Sequence, residues 1–543
     1  MRTNHNLIRL ATLILVCLGC GLFAWADPVL TKDPGLFPWL NYRYSVDVLN
    51  TATFVKPADS TANPGNDVLA VSQLTLGSQV RVNLNADAGP MSFLLRPRFN
   101  LQRESWDDGI RDGESDSDAS GYINEWQARL SLYDKAFLSY GRENLQWGPA
   151  FLFSPSNPFT QNNGQLNPKG EVPGMDYAKL LWVPGGGWAA SFIANVGEGR
   201  ADISRNGDSQ YAAFTEAVNT TAQGQLNSID QQYQQGLAQI DALRTLFPER
   251  RRVLHRIANR VADRLEGAAT QQRDNGVAQV NGQVAAADEE AALERDAYNR
   301  EFHNTYALKL DYQALQKYGS LIASYQESDQ DEDIRRLRLG GYAGVTASDA
   351  LLLYTEASAS LRGDELYPVD DPGSPFGARF ARTRSQSDDF RGTALVGGSY
   401  TLEGGHTFVA EYLYNGRGYS RSEASRYYAL REQAADALSQ PEPFNTLALA
   451  TLGMADDPGL FFMRQNYLML QYQQIQIVGD LGVVLRCTFN LDDRSIQLVP
   501  ILQYNLNDHW QLFAVGNQNF GRENTEFTSF IDRFYQFGVQ YSF

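Results

Sequence analysis

The sequence predicts an all-β fold: a transmembrane, antiparallel, up-and-down β-barrel of about 16–18 strands, carrying one large α-helical insertion. Three observations carry that reading. Apolar residues recur at every second position through segment after segment. The links between those segments alternate long and short. The last such segment, "RFYQFGVQYSF" at 533–543, runs to the final residue, Phe543, in mid-alternation.

The alternation is clear at the front of the chain, where Leu40, Tyr42, Tyr44, Val46 and Val48 share one parity and Asn41, Arg43, Ser45 and Asp47 the other. A period of two places successive side chains on opposite faces of a strand. Leu74 to Leu84, Met91 to Leu101, Trp126 to Leu132, Tyr306 to Tyr312, Phe408 to Tyr414, Ile477 to Phe489 and Ile496 to Tyr504 repeat it. Most segments have the length of a tilted bilayer-crossing strand, about 9–11 residues.

Loop lengths separate a membrane barrel from a soluble β protein. Short links at 87–90, 134, 184, 313, 346, 403 and 505 alternate with long ones at 51–70, 104–120, 144–174, 197–303, 327–334, 362–388, 416–463 and 518–531. Tight turns at one end and long loops at the other are the signature of an up-and-down barrel. The short "LDDR" link near 491 breaks the sequence of lengths and leaves both sixteen and eighteen strands open. Closure pairs the last strand with the first, so a chain can stop inside a strand without leaving an unpaired edge. Aromatic residues fall at strand ends, among them Trp39, Trp182, Trp188, Tyr400, Tyr414, Tyr504 and Trp510, where interfacial girdles sit.

Composition narrows the class. The chain carries a formal net charge of −17, which argues against nucleic acid as a partner. Beyond the front end no apolar run reaches the 18 or so residues of a spanning helix. A mean hydropathy of −0.38 is compatible with a barrel, since only alternate strand residues face lipid. Residues 1–26 read as a cleaved signal peptide: Arg2 and Arg9 precede an apolar stretch, and Ala24-Trp25-Ala26 precedes Asp27. An acylated Cys20 is the alternative. Cys17 and Cys20 leave with the signal, so Cys487 is the one cysteine of the exported chain and no internal disulfide or cysteine metal site is expected.

The expected organisation is therefore a signal (1–26), a first part of the barrel (27–196), an α-helical insertion on the cell-surface side (197–303) and a second part of the barrel (304–543). Within the insertion Tyr211, Phe214, Val218, Ala222, Leu226, Ile229, Tyr233, Leu237 and Ile240 recur at helical spacing. Pro248 interrupts, Leu254, Ile257, Val261 and Leu265 begin a second stripe, and Gly276 is a candidate break before a third. A helical hairpin or bundle that caps the mouth or projects from it is expected.

Parity also proposes a solute path. If the apolar parity faces lipid, Arg43, Arg81, Arg96, Arg98, Arg129, Arg336, Arg338, Arg391 and Arg486 point inward, with Asp47, Glu125, Glu356, Glu411 and Asp480. These residues would form charged ladders in a channel, or a paired polar wall in a closed barrel. The loop "GRENLQWGPAFLFSPSNPF" at 141–159 adds ligand or constriction candidates in Trp147, Gly148, Pro149 and Asn157, against the plainer reading of a folding constraint at the rim. The acidic loop 104–118 fails as a calcium site, with Ser117 where Gly is required and Ile123 where Glu is required. His255, His303, His406 and His509 sit in no catalytic pattern, so neither an enzyme nor a cofactor or metal is expected.

The terminal aromatic strand resembles the C-terminal signal of bacterial outer-membrane barrels, and the "GR", "WGP" and "SPSNPF" elements resemble those of Gram-negative porin-like barrels. "WGP" is also similar to a loop in capsule-assembly lectin barrels, whose pattern has no large helical insertion. The resemblance implies an outer-membrane location, contact with membrane lipid and lipopolysaccharide, and recognition of the strand ending in Phe543 by the barrel-insertion machinery. It further implies passive passage of small polar or anionic solutes, or alternatively a non-transporting surface barrel that binds or helps assemble polysaccharide.

Overall fold

A computed structural model describes residues 40–160, 169–201, 203–245, 252–327, 336–361, 363, 365–382, 391–441 and 444–543. The expected signal peptide, the start near Asp27, Trp39 and the break at Pro248 lie outside the described residues. Eighteen strands form one closed antiparallel sheet. They are β1 (Asn41–Pro57), β2 (Leu74–Ala88), β3 (Met91–Ser105), β4 (Ser115–Leu132), β5 (Ala136–Glu143), β6 (Met175–Gly185), β7 (Trp188–Gly197), β8 (Thr305–Gln313), β9 (Lys317–Gln326), β10 (Leu337–Ser348) and β11 (Leu351–Ser360). A small hairpin outside the barrel, β12 (Tyr367–Asp370) and β13 (Ala378–Ala381), interrupts the series. The barrel resumes with β14 (Arg391–Thr401), β15 (Thr407–Asn415), β16 (Asn466–Gln474), β17 (Leu481–Asn490), β18 (Ile496–Asn505), β19 (Trp510–Phe520) and β20 (Ile531–Ser542).

Closure is direct: β20 pairs with β1 from Asp47↔Ser542 to Pro57↔Ile531, and the Phe543 N–H donates to Val46 O at 2.9 Å. The short link 491–495 joins β17 to β18 at the long-loop end, which fixes the count at eighteen. Its shortness reflects a compact turn in which the Ser495 N–H and hydroxyl both donate to Asp493 Oδ1, at 2.8 and 2.7 Å. Ile477 and Asp480, read from parity as strand residues, belong instead to the turn before β17.

The outer wall is apolar. Leu76, Leu84, Phe93, Leu95, Phe99, Leu180, Phe192, Leu308, Leu321, Leu339 and Leu470 are all exposed on it. At the short-turn end aromatic rings meet across neighbouring strands, with centroids 4.8 Å apart for Trp188–Tyr312, 5.3 Å for Phe408–Tyr472 and 4.6 Å for Trp510–Tyr541. A contiguous exposed apolar belt of this extent costs far more in water than in hydrocarbon, and flanking aromatics suit an interface.

The insertion between β7 and β8 is an α-helical hairpin, α1 (Asp208–Thr245) and α2 (Arg252–Tyr298). At about 1.5 Å per residue α2 is on the order of 70 Å long. Gly276 does not break it. A Cβ there would lie 3.2 Å from Ile229 Cδ1, so the glycine admits close approach of the two helices. The expected long loop 416–463 contains two further helices, α3 (Arg421–Ala437) and α4 (Phe444–Asp456). Ser420 and Glu423 close a capping box at the start of α3.

These parts build a cap at the long-loop end. Phe376, Phe380, Tyr419, Tyr427, Leu430, Leu447, Leu452 and Met454 form its core. Phe214 and Val218 of α1 and Ala291 and Ala297 of α2 enter the same cluster, so the basal turns of the hairpin belong to the cap. Buried Arg431 ties the cap to the barrel rim, donating to Ser529 Oγ at 3.0 Å.

Candidate functional site

The loop after β5 turns into the barrel. Its first half is held by two carboxylates on the inner wall. Glu411 of β15 accepts the N–H groups of Phe151 (2.7 Å) and Leu152 (2.8 Å) and the Tyr354 hydroxyl (2.6 Å). Glu356 of β11 accepts Ser154 Oγ–H (2.6 Å), Ser156 N–H (3.0 Å) and Ser156 Oγ–H (2.7 Å). Leu152, Ser154, Ser156 and Asn157 are fully buried as a result.

The second half reaches a different arc of wall. Glu171 accepts from Arg98 Nε at 2.7 Å, Lys169 O accepts from Arg81 Nη2 at 2.7 Å, and Lys169 Nζ donates to Gln540 Oε1 at 2.9 Å. Those partners stand on β3, β2 and β20, whereas Glu356 and Glu411 stand on β11 and β15, with β16 to β19 between β15 and β20. A loop rooted between β5 and β6 and fastened to two such separated arcs crosses the bore. The polypeptide therefore constricts the lumen, and its position is set by wall charges.

The structure sorts the inward charges that parity proposes. Arg98 is buried and also bonds Val82 O (2.8 Å) and Asn83 Oδ1 (3.2 Å), so it braces the loop and wall together. Arg96 pairs with Glu125 at 2.7 Å, and Arg81, cross-strand from Asp47, also bonds Gln79. Arg338 bonds Pro155 O of the loop and Ser358 Oγ. Buried Arg486 donates to Gln471 Oε1 at 2.8 Å. Arg129 lies 4.2 Å from the centre of the Phe137 ring, and Arg43 is exposed near the short-turn end. Glu356, proposed as a lining group, is 0 % exposed and serves as a loop anchor.

Contacts within the protein hold the loop candidates as well. Asn157 donates to Leu145 O at 2.6 Å and accepts from the Phe159 N–H at 3.0 Å, stapling the loop across twelve residues. Trp147 packs edge-to-face on Phe159, centroids 5.5 Å apart, with Lys309 Nζ 5.4 Å from its ring centre. Gly148 has φ +79° and a Cβ there would lie 2.1 Å from Glu356 Oε2, so both conformation and space demand glycine. Pro149 follows it, half-buried, at the turn that delivers Phe151 and Leu152 to Glu411.

Above the crossing loop lies a cavity of about 690 Å³. Pro158, Phe159 and Thr160 form its floor side, Ser324, Gln326, Arg336 and Arg338 its wall, and the hairpin base and cap contribute Arg205, Arg300, His303, Glu365, Arg417 and Asp457. Among the described residues, five arginines and two carboxylates line it. Arg205 is held by Asp457, Arg417 by Glu365, and a two-way backbone pairing of Arg205 with Arg300 (2.7 and 2.9 Å) closes the stem of the hairpin. Arg205, Arg300, His303 and Arg417 lie in loops, and no strand parity points to them. The signal available in the sequence was only their position flanking the insertion and the cap.

No family model and no curated protein matches the chain. Similar solved structures include OccK11 (OpdR) of Pseudomonas aeruginosa (11% identity, 92% of this chain and 95% of that one, TM-score 0.45). OccAB1 of Acinetobacter baumannii is similar at 8% identity over 95% and 99% of the two chains, with a TM-score of 0.46. A porin of Rhodopseudomonas blastica, solved as a mutant, is similar at 9% identity over 93% and 100%, with a TM-score of 0.36. At such values the likeness carries no argument, and function rests on this chain's own geometry.

Proposed function

We propose that the chain is an outer-membrane channel of Gram-negative bacteria for passive passage of small polar solutes, with a preference for anions. The observation that carries this reading is the fate of the inner-wall charges. Glu356 and Glu411 are taken up by loop donors, while among the described residues five arginines and two carboxylates line the cavity above the loop. In a chain of net charge −17, the described lining of this cavity is thus richer in arginine than in carboxylate. Inside a narrow lumen with low-dielectric walls such a surplus concentrates anions and repels cations. The apolar outer belt, the aromatic ends and closure of β20 on β1 support membrane insertion. The loop crossing the bore supports selective rather than general passage.

Purified protein in planar bilayers tests the reading. Ion flow with a reversal potential on the anion side in a salt gradient is expected, and Arg300→Gln with Arg336→Gln should move that potential toward zero. Absence of any conductance from correctly folded protein, or unchanged ion preference in the double variant, would overturn it.

A further inference from the structure

The far end of the hairpin carries chemistry the barrel has no use for. Residues 252–266 hold four arginines against two acids, in a chain whose net charge is −17. Both acids, Asp263 and Glu266, are taken by Arg244 of α1, the first at 2.9 Å. Arg256, Arg260 and Arg264, spaced four apart on α2, are exposed on one face. Beside them runs an exposed apolar stripe, Leu254 (42 %), Ile257 (54 %), Val261 (44 %) and Leu265 (47 %), three or four residues apart.

Neither row belongs to the packing of the hairpin. That seam uses buried Ile240, Ala258 and Ala262, with Ala258 and Ala262 one position on from Ile257 and Val261 and so about 100° further round the helix. Among the described residues the cap does not cover the stripe either: those of α2 packed on its core nearest the tip are Val284, Ala287 and Ala291. From Val284 to Val253 is about 46 Å of helix, several times the Debye length of about 8 Å at physiological salt. The acidic body therefore exerts little repulsion at the tip.

We propose that the tip of the hairpin, residues 252–266 of α2, docks on the surface of a lipid bilayer bearing anionic headgroups. Arg256, Arg260 and Arg264 pair with lipid phosphates and Leu254, Ile257, Val261 and Leu265 enter the headgroup–acyl boundary. An apolar stripe flanked by a guanidinium row is the arrangement that binds in the plane of such an interface. Charge alone would suit any polyanion. The four exposed aliphatic side chains next to it require an apolar layer behind the anions, which selects lipid.

The test uses the full chain held in a neutral phosphatidylcholine nanodisc and mixed with vesicles of phosphatidylcholine alone or with added phosphatidylglycerol. Co-flotation with the anionic vesicles only is expected. R256Q/R260Q/R264Q should weaken it roughly a hundredfold. L254S/I257S/V261S/L265S should abolish it at about 0.15 M salt, where surface charge is screened. Inorganic phosphate should not compete. Unchanged helical circular dichroism and gel mobility in both variants establish that the hairpin is intact. Equal flotation with neutral vesicles, full competition by soluble polyglutamate, or pairing of two discs through the stripe in the absence of vesicles would each overturn the proposal.

Discussion

The backbone N–H of Leu152 donates to Glu411 across 259 positions of sequence, at 2.8 Å. This contact holds the crossing loop in the bore. With the Phe151 N–H and the Tyr354 hydroxyl it gives one buried carboxylate three donors. Glu411→Ala removes the acceptor and leaves those donors buried without one, which should cost about 2–4 kcal/mol of loop docking. The strands keep their pairing, so the barrel should still resist unfolding by detergent without heat. Single-channel conductance should rise and become noisy. Conductance indistinguishable from wild type would mean that the loop does not limit flow.

Gly148 tests the same docking from the other side. Its left-handed φ of +79° and the 2.1 Å separation that an added methyl would have from Glu356 Oε2 make Gly148→Ala doubly unfavourable. The conformation alone costs about 1–2 kcal/mol, and the contact displaces the carboxylate from Ser154 and Ser156. Limited proteolysis between Trp147 and Asn157 should become possible in the variant while wild type is resistant. Resistance in both would show that the loop tolerates the displacement.

The barrel was legible because one face of every strand must suit lipid, which writes period two into the sequence; Phe93 and Leu95 are exposed for the reason they alternate. The roles of the inward residues were not legible in the same way. Parity assigns Glu356, Glu411 and Arg98 to the lumen, but whether each meets solute or a loop depends on partners up to 260 positions away, many of them backbone groups that every residue possesses. The cap was partly readable. Ser420-x-x-Glu423 before Tyr427, Leu430 and Ala434 is a capping box opening an apolar helical stripe within a segment read as loop. Gly276 misled because glycine marks close helix approach as readily as a break.

Glu526 gives the cap junction a pH dependence. Its carboxyl accepts the Met463 N–H at 2.9 Å and Asn490 Nδ2–H at 2.8 Å and meets the Tyr467 hydroxyl. Burial, which outweighs those donors, pushes its pKa from 4.5 up to about 7. The folded state therefore holds a proton that the unfolded chain releases between these values. Its stabilising share is complete below about pH 4.5 and is lost as pH rises through 7. The thermal midpoint should fall between pH 5 and 8 in wild type and fall less in Glu526→Gln. Identical slopes for the two proteins would refute the assignment.

Removing the distal hairpin separates the two halves of the insertion. Ile229 and Gly276 stand against each other, so the chain can be rejoined there by a short Gly/Ser turn in place of residues 230–275. Phe214, Val218, Ala291 and Ala297 remain, and with them the apolar core that the hairpin shares with α3 and α4. The stem pairing of Arg205 with Arg300 is also untouched, so the cationic cavity should keep its shape. The shortened protein should fold, conduct like wild type and keep its ion preference, because among the described residues none of the deleted ones enters the core of the cap. A larger change in conductance would show that the distal hairpin folds back over the mouth. Full deletion of 208–298, by contrast, strips the cap of four buried side chains and should raise conductance and lower the thermal midpoint together.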